Sequence, residues 1–319
     1  MKKAIITGIT GQDGAYLAKL LVDKGYLVIG ITRNNRSVNL EKLSFLGIVA
    51  DVQIEECDLS DLSSVINLFV KYQPQEVYNL AAQSSVSLSF TQPIGTIQFN
   101  VISVLNLLEA IRLISPHTRI YQASSSEMYG EVRQLPVTLS TPMHPLSPYA
   151  ISKCTGFWTL VNYRESYGLR ASNGVLFNHE SFLRTDNFFV KKIISGAVKN
   201  RNNPDWKLEV GNIDVKRDFG YSPKYVEAMW LILQQETSRD FIICSGESIS
   251  LRAIIQYVFK KLAIAEDKIT ISENLFRPVD IEDIYGDNSL AKDILEWNYD
   301  MSFFDVLDIL IDEEIKFNL

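Results

Sequence analysis

The chain has 319 residues and 36.2 kDa, with 46% hydrophobic residues, a formal net charge of −7 and a pI of about 5.2. That is enough apolar material for one large core or two closely joined ones, which excludes a disordered chain, while the acidic balance without a basic tract excludes a nucleic-acid-binding footprint. Cys57, Cys154 and Cys244 are odd in number, far apart and without CxxC spacing, so neither a disulfide framework nor a structural zinc site is indicated; no apolar stretch reaches about 18 residues, and the reading is a soluble cytoplasmic protein with no membrane partner.

In chain order, Ala4–Thr7 reads as a short buried strand, Gly8-Ile9-Thr10-Gly11-Gln12-Asp13-Gly14 as a glycine-rich turn, Ala15–Lys24 as an amphipathic helix and Leu27–Ile31 as a second strand. Gly8, Gly11 and Gly14 let the backbone approach a pyrophosphate that rests on the helix N-terminus, with Gln12 and Asp13 in the same turn. The position after the second strand, where an NAD site places Asp or Glu for the ribose, carries Arg33 and Arg36, which favours the 2′-phosphate of NADP. A strand at Val52–Glu55 leads to Asp58 and Leu59, a helix follows at Leu62–Tyr72, and a strand at Glu76–Leu80 ends in Ala81-Ala82-Gln83-Ser84, small residues that leave room for a cofactor. A helix from about Asn100 to Leu113 and a strand at Arg119–Ser124 continue the alternation. Repeated strand-helix units predict an α/β fold, a Rossmann-type doubly wound parallel sheet with a ligand crevice at the carboxyl ends of its strands.

The chemistry is expected where this last strand ends. Ser124, Ser125 and Glu127 form a hydroxyl-rich acidic tip, and Ser147 caps a helix whose first residue is Pro148. Tyr149 and Lys153 then lie one turn apart on the same face, where an ammonium and the positive helix end favour phenolate over phenol. The helix is predicted to stop at Gly168, a strand to run over Ala171–Phe177 through Leu176, and Asn178 and His179 to follow it. Beyond lie a helix at about Phe188–Val198 bearing Lys192, a strand near Leu208–Gly211, the charged run Lys216-Arg217-Asp218, and a helix at Pro223–Gln235. A strand at Asp240–Cys244 is expected to return to the main sheet; a helix at Leu251–Leu262, an anion-binding turn at Arg277-Pro278-Val279-Asp280 and a helix at Phe303–Glu314 complete the chain. With no flexible linker, the second domain is small and interleaved: residues 1–178 with about 219–245 for the dinucleotide, and about 179–218 with 246–319 for the substrate.

The glycine turn, the Ser tip and Tyr149-x-x-x-Lys153, in this order, resemble the extended short-chain dehydrogenase/reductase superfamily. The blocks Asn162–Gly168, Leu176–Ser181, Lys216–Asp218 and Tyr225–Trp230 resemble the GDP-mannose 4,6-dehydratase family over nearly the whole chain. The resemblance implies that bound NADP⁺ takes hydride from C4 of a nucleotide sugar while Tyr149 removes the hydroxyl proton, that Glu127 removes the C5 proton, that Ser125 and Glu127 help water leave from C6, and that hydride returns there. It places Gly8, Gly11, Gly14, Asp58, Leu59, Ala81, Lys153, His179 and Arg184 on the cofactor side, and Leu80, Ala82, Ser124 and Leu176 belong with them. Asn178, Lys192, Arg217 and Arg277 fall on the substrate side, with Ser84 and Asp280 beside them, in a homodimer or homotetramer. The family has Thr at Ser125, Arg at Leu146 and Pro-Arg-Arg-Gly at Phe182-Leu183-Arg184-Thr185, so Leu146 and Leu183 are expected at the mouth of the site, where the sugar is chosen. An NADP-dependent epimerase, reductase or decarboxylase of the same superfamily fits the same Ser-Tyr-Lys set; a non-catalytic nucleotide-binding protein is a further alternative, but such proteins usually lose the Tyr or Lys, and Tyr149 and Lys153 are both present.

Overall fold

The computed structural model describes residues 1–34, 38–276 and 279–318. Its first half alternates strand and helix: β1 (Lys3–Thr7), α1 (Gln12–Asp23), β2 (Leu27–Thr32), α2 (Glu41–Phe45), β3 (Val52–Glu56), α3 (Leu62–Tyr72) and β4 (Glu76–Asn79). Then come α4 (Val86–Thr91), α5 (Pro93–Ile114), β5 (Arg119–Ser125), α6 (Pro148–Tyr167) and β6 (Ala171–Leu176). The later part holds β7 (Asn178–Glu180), α7 (Phe189–Asn200), β8 (Leu208–Val210), β9 (Lys216–Tyr221), α8 (Ser222–Gln234) and β10 (Phe241–Ile243). It ends with β11 (Ser248–Ser250), α9 (Leu251–Lys261), β12 (Ile269–Ile271), α10 (Ser289–Leu295) and α11 (Phe303–Phe317).

Among the described residues, seven strands form an all-parallel sheet in the order β10-β6-β5-β4-β1-β2-β3. Side chains alternate between its faces, as the period of a strand requires. Ile5, Ile29, Val77 and Ile120 pack with α3, α5 and α6, whereas Ala4, Ile6, Val28 and Tyr78 pack with α1 and α8. Each strand is therefore apolar on both sides, and burying one Ile stabilises the fold by about 1.5–3 kcal/mol. The chain reverses its winding between β1 and β4, so the segments leaving these two strands diverge and open a crevice between them.

The helix ends follow local chemistry. Asp61 accepts from the amides of Ser63 and Ser64 to start α3, and Ser147 accepts from Ala150 N at 3.1 Å to start α6, with Pro148 as its first residue. Gly168, at φ +67°, ends α6. Ser302 and Asp305 form a reciprocal capping box on α11.

Four expectations shift. The glycine turn becomes helical at Gln12, so Gly14 lies inside α1. Helix α5 begins at Pro93, a good first helical residue, about seven residues before the expected start. The strand expected to run through Phe177 breaks there: β6 stays in the main sheet, and β7 joins a second sheet in the order β11-β9-β7. The reason is Asp218 in β9, whose fully buried carboxylate accepts from Ser245 N at 2.9 Å, Ser245 Oγ at 2.7 Å, Gly246 N at 3.0 Å and Gly286 N at 3.3 Å. These bonds pull β9, and β7 with it, towards the segments that follow β10. Strand β9 thus spans the expected 218/219 boundary.

Finally, α5 has the length and mean hydropathy (1.5) of a membrane-crossing helix, contrary to the absence of such a stretch read from the sequence. Its buried side carries Asn100, which donates to Gln83 O and to Ser152 Oγ, and Asn106, which donates to Leu59 O. It is packed between α3 and α6, as a core helix is.

Candidate active site

The crevice between β1 and β4 has a volume of about 1260 Å³. That exceeds the roughly 300–1,000 Å³ of a single-ligand pocket and accommodates a dinucleotide with a second ligand. Its floor is the turn from Gly8 to Gly14. Gly8 adopts φ +70°, and a Cβ there would meet Ala81 N at 2.9 Å; a Cβ on Gly14 would fall 2.2 Å from Gly8 O. Only glycine fits both places. Gly11, the residue before α1, offers no side-chain cap, so amides of the first turn are left for an anion. This donor set and shape fit a dinucleotide pyrophosphate.

The polar residues of the turn hold the site together. Gln12 Nε2 donates to His179 O at 2.9 Å, and Ser181 Oγ donates to Gln12 Oε1 at 2.7 Å. Asp13 accepts from Ser222 Oγ at 2.7 Å and meets His179 Nε2 at 2.8 Å, while His179 Nδ1 meets Phe177 O at 2.7 Å. Both imidazole nitrogens face acceptors, so His179 is an imidazolium. Burial opposes both charges, but the charge and hydrogen bond of each on the other outweigh it, holding Asp13 below and His179 above their ordinary values. Tyr225 stacks on the imidazole at 4.7 Å.

Leu59, Leu80, Ala81, Ala82, Ser84, Ser124 and Leu176 line the crevice, and Arg33 reaches it with its guanidinium 5.3 Å from the Phe99 ring. Asp58 does not line it. Its carboxylate accepts from Ser60 N at 2.9 Å and serves the turn before α3, while Cys57 and Leu59 on either side form the wall. Arg36 and Arg277 lie outside the described residues.

On the opposite rim β5 ends in Ser125, and α6 brings Tyr149 and Lys153 beside it; all three are at least nine-tenths buried, with Glu127 next to them. Burial pushes the Tyr149 phenol up to about 12; a hydrogen bond from Ser125 opposes this, Glu127 adds to it, and Arg184 lowers it. Burial also brings the Lys153 ammonium down to about 8. Burial, and not the neighbouring ammonium, dominates the Tyr149 phenol in the free protein. Lys153 Nζ donates to Ala123 O at 2.8 Å and stands 5.8 Å from the centre of the Tyr149 ring. Desolvation of the phenol outweighs the helix end. Cys154, beside Lys153, holds its thiol against Met128 O at 3.7 Å and is pushed up to about 11 by burial, so it is a packing residue.

The far wall carries Asn178, Lys192, Arg217 and Asp280. Arg217 spans Asp280 Oδ1 at 2.6 Å and Ile281 O at 2.5 Å, tying the segment after the expected anion-binding turn to β9. Lys192 Nζ donates to Glu209 O at 2.7 Å, and Asn178 Nδ2 to Asp218 O at 3.3 Å. Leu146 and Leu183 do not line the crevice, against expectation. Leu146 packs with Met128 and Tyr129, and Leu183 is buried in the main core. Phe182 packs on Phe45 at 4.9 Å and Phe317 at 5.3 Å, so the altered Phe182-Leu183 pair is an apolar exchange in the core.

Several lining residues were not among the expected site residues: Lys42, Glu180, Val210, Val215, Phe219 and Leu275. Glu180 Oε2 and Arg184 Nε are buried without a hydrogen-bond partner among the described residues and stand 3.6 Å apart. Helix α2, bearing Lys42, is too short for hydrophobic periodicity, and the apolar four come from short strands and loops of the smaller lobe.

A doubly wound parallel sheet with a glycine-floored crevice at its winding reversal, and Ser125, Tyr149 and Lys153 on one rim, defines an extended short-chain dehydrogenase/reductase. Within that class, the chain belongs to the GDP-mannose 4,6-dehydratase family, a family of hydro-lyases, whose model matches residues 5–310. It is 40% identical over 326 residues to GDP-mannose 4,6 dehydratase 1 of Arabidopsis thaliana, covering 99% of this chain and 90% of that one. It is 36% identical over 341 residues to GDP-mannose 4,6-dehydratase of Sinorhizobium fredii, covering 99% and 97%. The UDP-glucose 4-epimerase of Thermotoga maritima, solved with UDP-glucose, shares the fold at a TM-score of 0.90 and 22% identity, covering 99% of this chain and all of that one.

Proposed function

We propose that this chain removes water from GDP-mannose, or a closely related GDP-sugar, to give the 4-keto-6-deoxy sugar nucleotide, using a tightly bound NADP. The observation that carries the reading is the carboxylate of Glu127 on the same rim as Ser125, Tyr149 and Lys153. Oxidation and reduction at one carbon need no such acid, whereas loss of water across two carbons does.

Bound NADP⁺ would supply a reversible two-electron acceptor, taking a pair from C4 of the sugar and returning it at C6. Tyr149, whose phenol Ser125 helps to lower, takes the proton of the C4 hydroxyl. Burial holds the phenol protonated in the free protein, so deprotonation needs the positive charge that arrives with the oxidised cofactor. Glu127 removes the C5 proton, which the new ketone has acidified, and Glu127 with Ser125 delivers a proton to the departing C6 hydroxyl. The hydrogen taken from C4, with its electron pair, would be returned at C6, a proton returns to C5, and the balance is loss of one water with no net redox change.

The assignment of residues 1–178 with about 219–245 to the cofactor, and of about 179–218 with 246–319 to the nucleotide sugar, accompanies this reading. Gly8, Gly11, Gly14, Leu59, Ala81 and Lys153, with Arg184 from the second part, are assigned to the cofactor side, and Lys192, Arg217 and Asp280, with Asn178 from the end of the first part, to the nucleotide sugar. The preference for NADP rests on Arg33 together with Arg36, which lies outside the described residues. A cytoplasmic homodimer or homotetramer is part of the proposal, supported by apolar side chains exposed on the paired helices α5 and α6, among them Ile94, Ile102, Trp158 and Tyr167.

The test is to incubate the purified protein with GDP-mannose and catalytic NADP⁺ and follow the nucleotide sugar by mass. A product lighter by one water, without accumulating NADPH, is expected; an isomer of unchanged mass would indicate an epimerase.

A further inference from the structure

We propose that Lys42, on the short helix α2, is a cofactor-positioning residue that closes with Arg184 on one phosphate of the bound dinucleotide. The proposal rests on the cofactor reading above and deepens it.

Lys42 lines the crevice, as Gly11, Asp13 and Arg184 do, and stands near enough to Asp13 and Arg184 for both charges to act on it. Helix α2 is anchored there from two sides: Leu43 is buried in the main core, and Phe45 packs on Phe182, two residues before Arg184. Arg184 is itself held by Phe188, whose ring lies 3.5 Å below the guanidinium, and by the bond of its amide to Ser181 O at 3.1 Å. No described residue gives the Lys42 ammonium a hydrogen bond or an ion pair. Arg184 reaches a carboxylate, Glu180, at 3.6 Å, and its buried Nε has no hydrogen-bond partner among the described residues.

Two cations are thus held in one wall of a crevice with unfilled bonding capacity. Burial and the charge of Arg184 hold Lys42 below its ordinary value, only partly offset by Asp13. Such an arrangement costs the free protein stability, and an anion between the two relieves it. The only dianionic or bridging groups a dinucleotide brings to this wall are phosphates: the pyrophosphate at the N-terminus of α1, or the 2′-phosphate beyond β2. Either oxyanion accepts from an ammonium and a guanidinium together.

The test compares Lys42→Met and Lys42→Arg with the unaltered full chain, reading dissociation constants for NADP⁺ and NAD⁺ by calorimetry and the melting temperature without cofactor. Lys42→Met is expected to weaken NADP⁺ binding at least about tenfold, the loss of one charge-assisted hydrogen bond, while Lys42→Arg stays within about twofold. The melting temperature of cofactor-free Lys42→Met should be unchanged or higher, because a like-charge contact is removed; a merely structural lysine would lower it. Weakening of NADP⁺ alone assigns the contact to the 2′-phosphate, and equal weakening of both dinucleotides assigns it to the pyrophosphate. Unchanged affinities in Lys42→Met overturn the inference and leave the cofactor reading intact, whereas an unaltered chain that binds neither dinucleotide overturns both.

Discussion

The carboxylate of Asp13 and the imidazolium of His179 meet at 2.8 Å, and through this pair the glycine turn of α1 is bound to β7 in the second sheet. Ser222 and Phe177 O complete the hydrogen bonds of this buried ion pair, and the bonds of Gln12 with His179 O and Ser181 Oγ run beside it.

This pair makes stability depend on pH in a stated direction. His179 is raised above its ordinary 6.5, so its contribution is complete below about pH 6.5 and is lost as pH rises through the higher folded value. Asp13 is lowered below 3.8, so its contribution is present above that value and is lost as pH falls through the depressed one. Replacing His179 by Gln leaves Asp13 buried without its counter-charge and is expected to cost about 3 kcal/mol. Melting curves across neutral to alkaline pH should show the unaltered chain losing stability where His179→Gln does not; parallel curves would refute the assignment.

Tyr149→Phe keeps the ring in its buried place and removes the proton acceptor. Turnover should fall by about 10²–10⁴, the usual worth of a general base, with NADP⁺ affinity unchanged. Rapid-mixing absorbance should show no NADPH forming even transiently. Retention of that first oxidation would remove Tyr149 from the mechanism.

Glu127→Gln separates the steps differently. Oxidation at C4 belongs to Tyr149 and should persist, so NADPH and the 4-ketone accumulate while loss of water stalls. Equal loss of both steps in single-turnover experiments would contradict the division of roles.

Gly14→Ala adds a Cβ 2.2 Å from Gly8 O and 2.8 Å from Ile9 Cα, both backbone atoms that cannot move aside cheaply. The variant should lose about 1–3 kcal/mol of stability and most of its dinucleotide affinity, measured by denaturation and calorimetry. Gly25→Ala serves as control: it sits at φ +77° with nothing within 4 Å of the added atom, so it should destabilise through backbone strain and leave affinity intact.

Arg217→Lys keeps the charge but loses the fork that spans Asp280 and Ile281 O. The expected outcome is KM for the nucleotide sugar raised about tenfold with kcat little changed, since the contact holds a wall and not the reacting carbons. A loss confined to kcat would place Arg217 in the chemistry.

The sequence by itself determined the alternating strands and helices, the glycine turn and the helix that presents Tyr149 and Lys153. Each of these is written in local terms: short continuous apolar runs, a Ser-Pro cap, and glycines where no Cβ fits. It also carried the tip Ser125 to Glu127, because that tip directly ends a strand. Tertiary structure alone decided the rest. Leu146 and Leu183 stand beside site residues in the chain yet turn into cores, since burying an apolar side chain outweighs neighbourhood in sequence. Asp58 serves a turn, Lys153 bonds Ala123 O, and Lys42 reaches the wall of Arg184 from a helix too short to announce itself. Burial and charge pairing depend on what the folded chain brings from far away, and no local pattern encodes that distance.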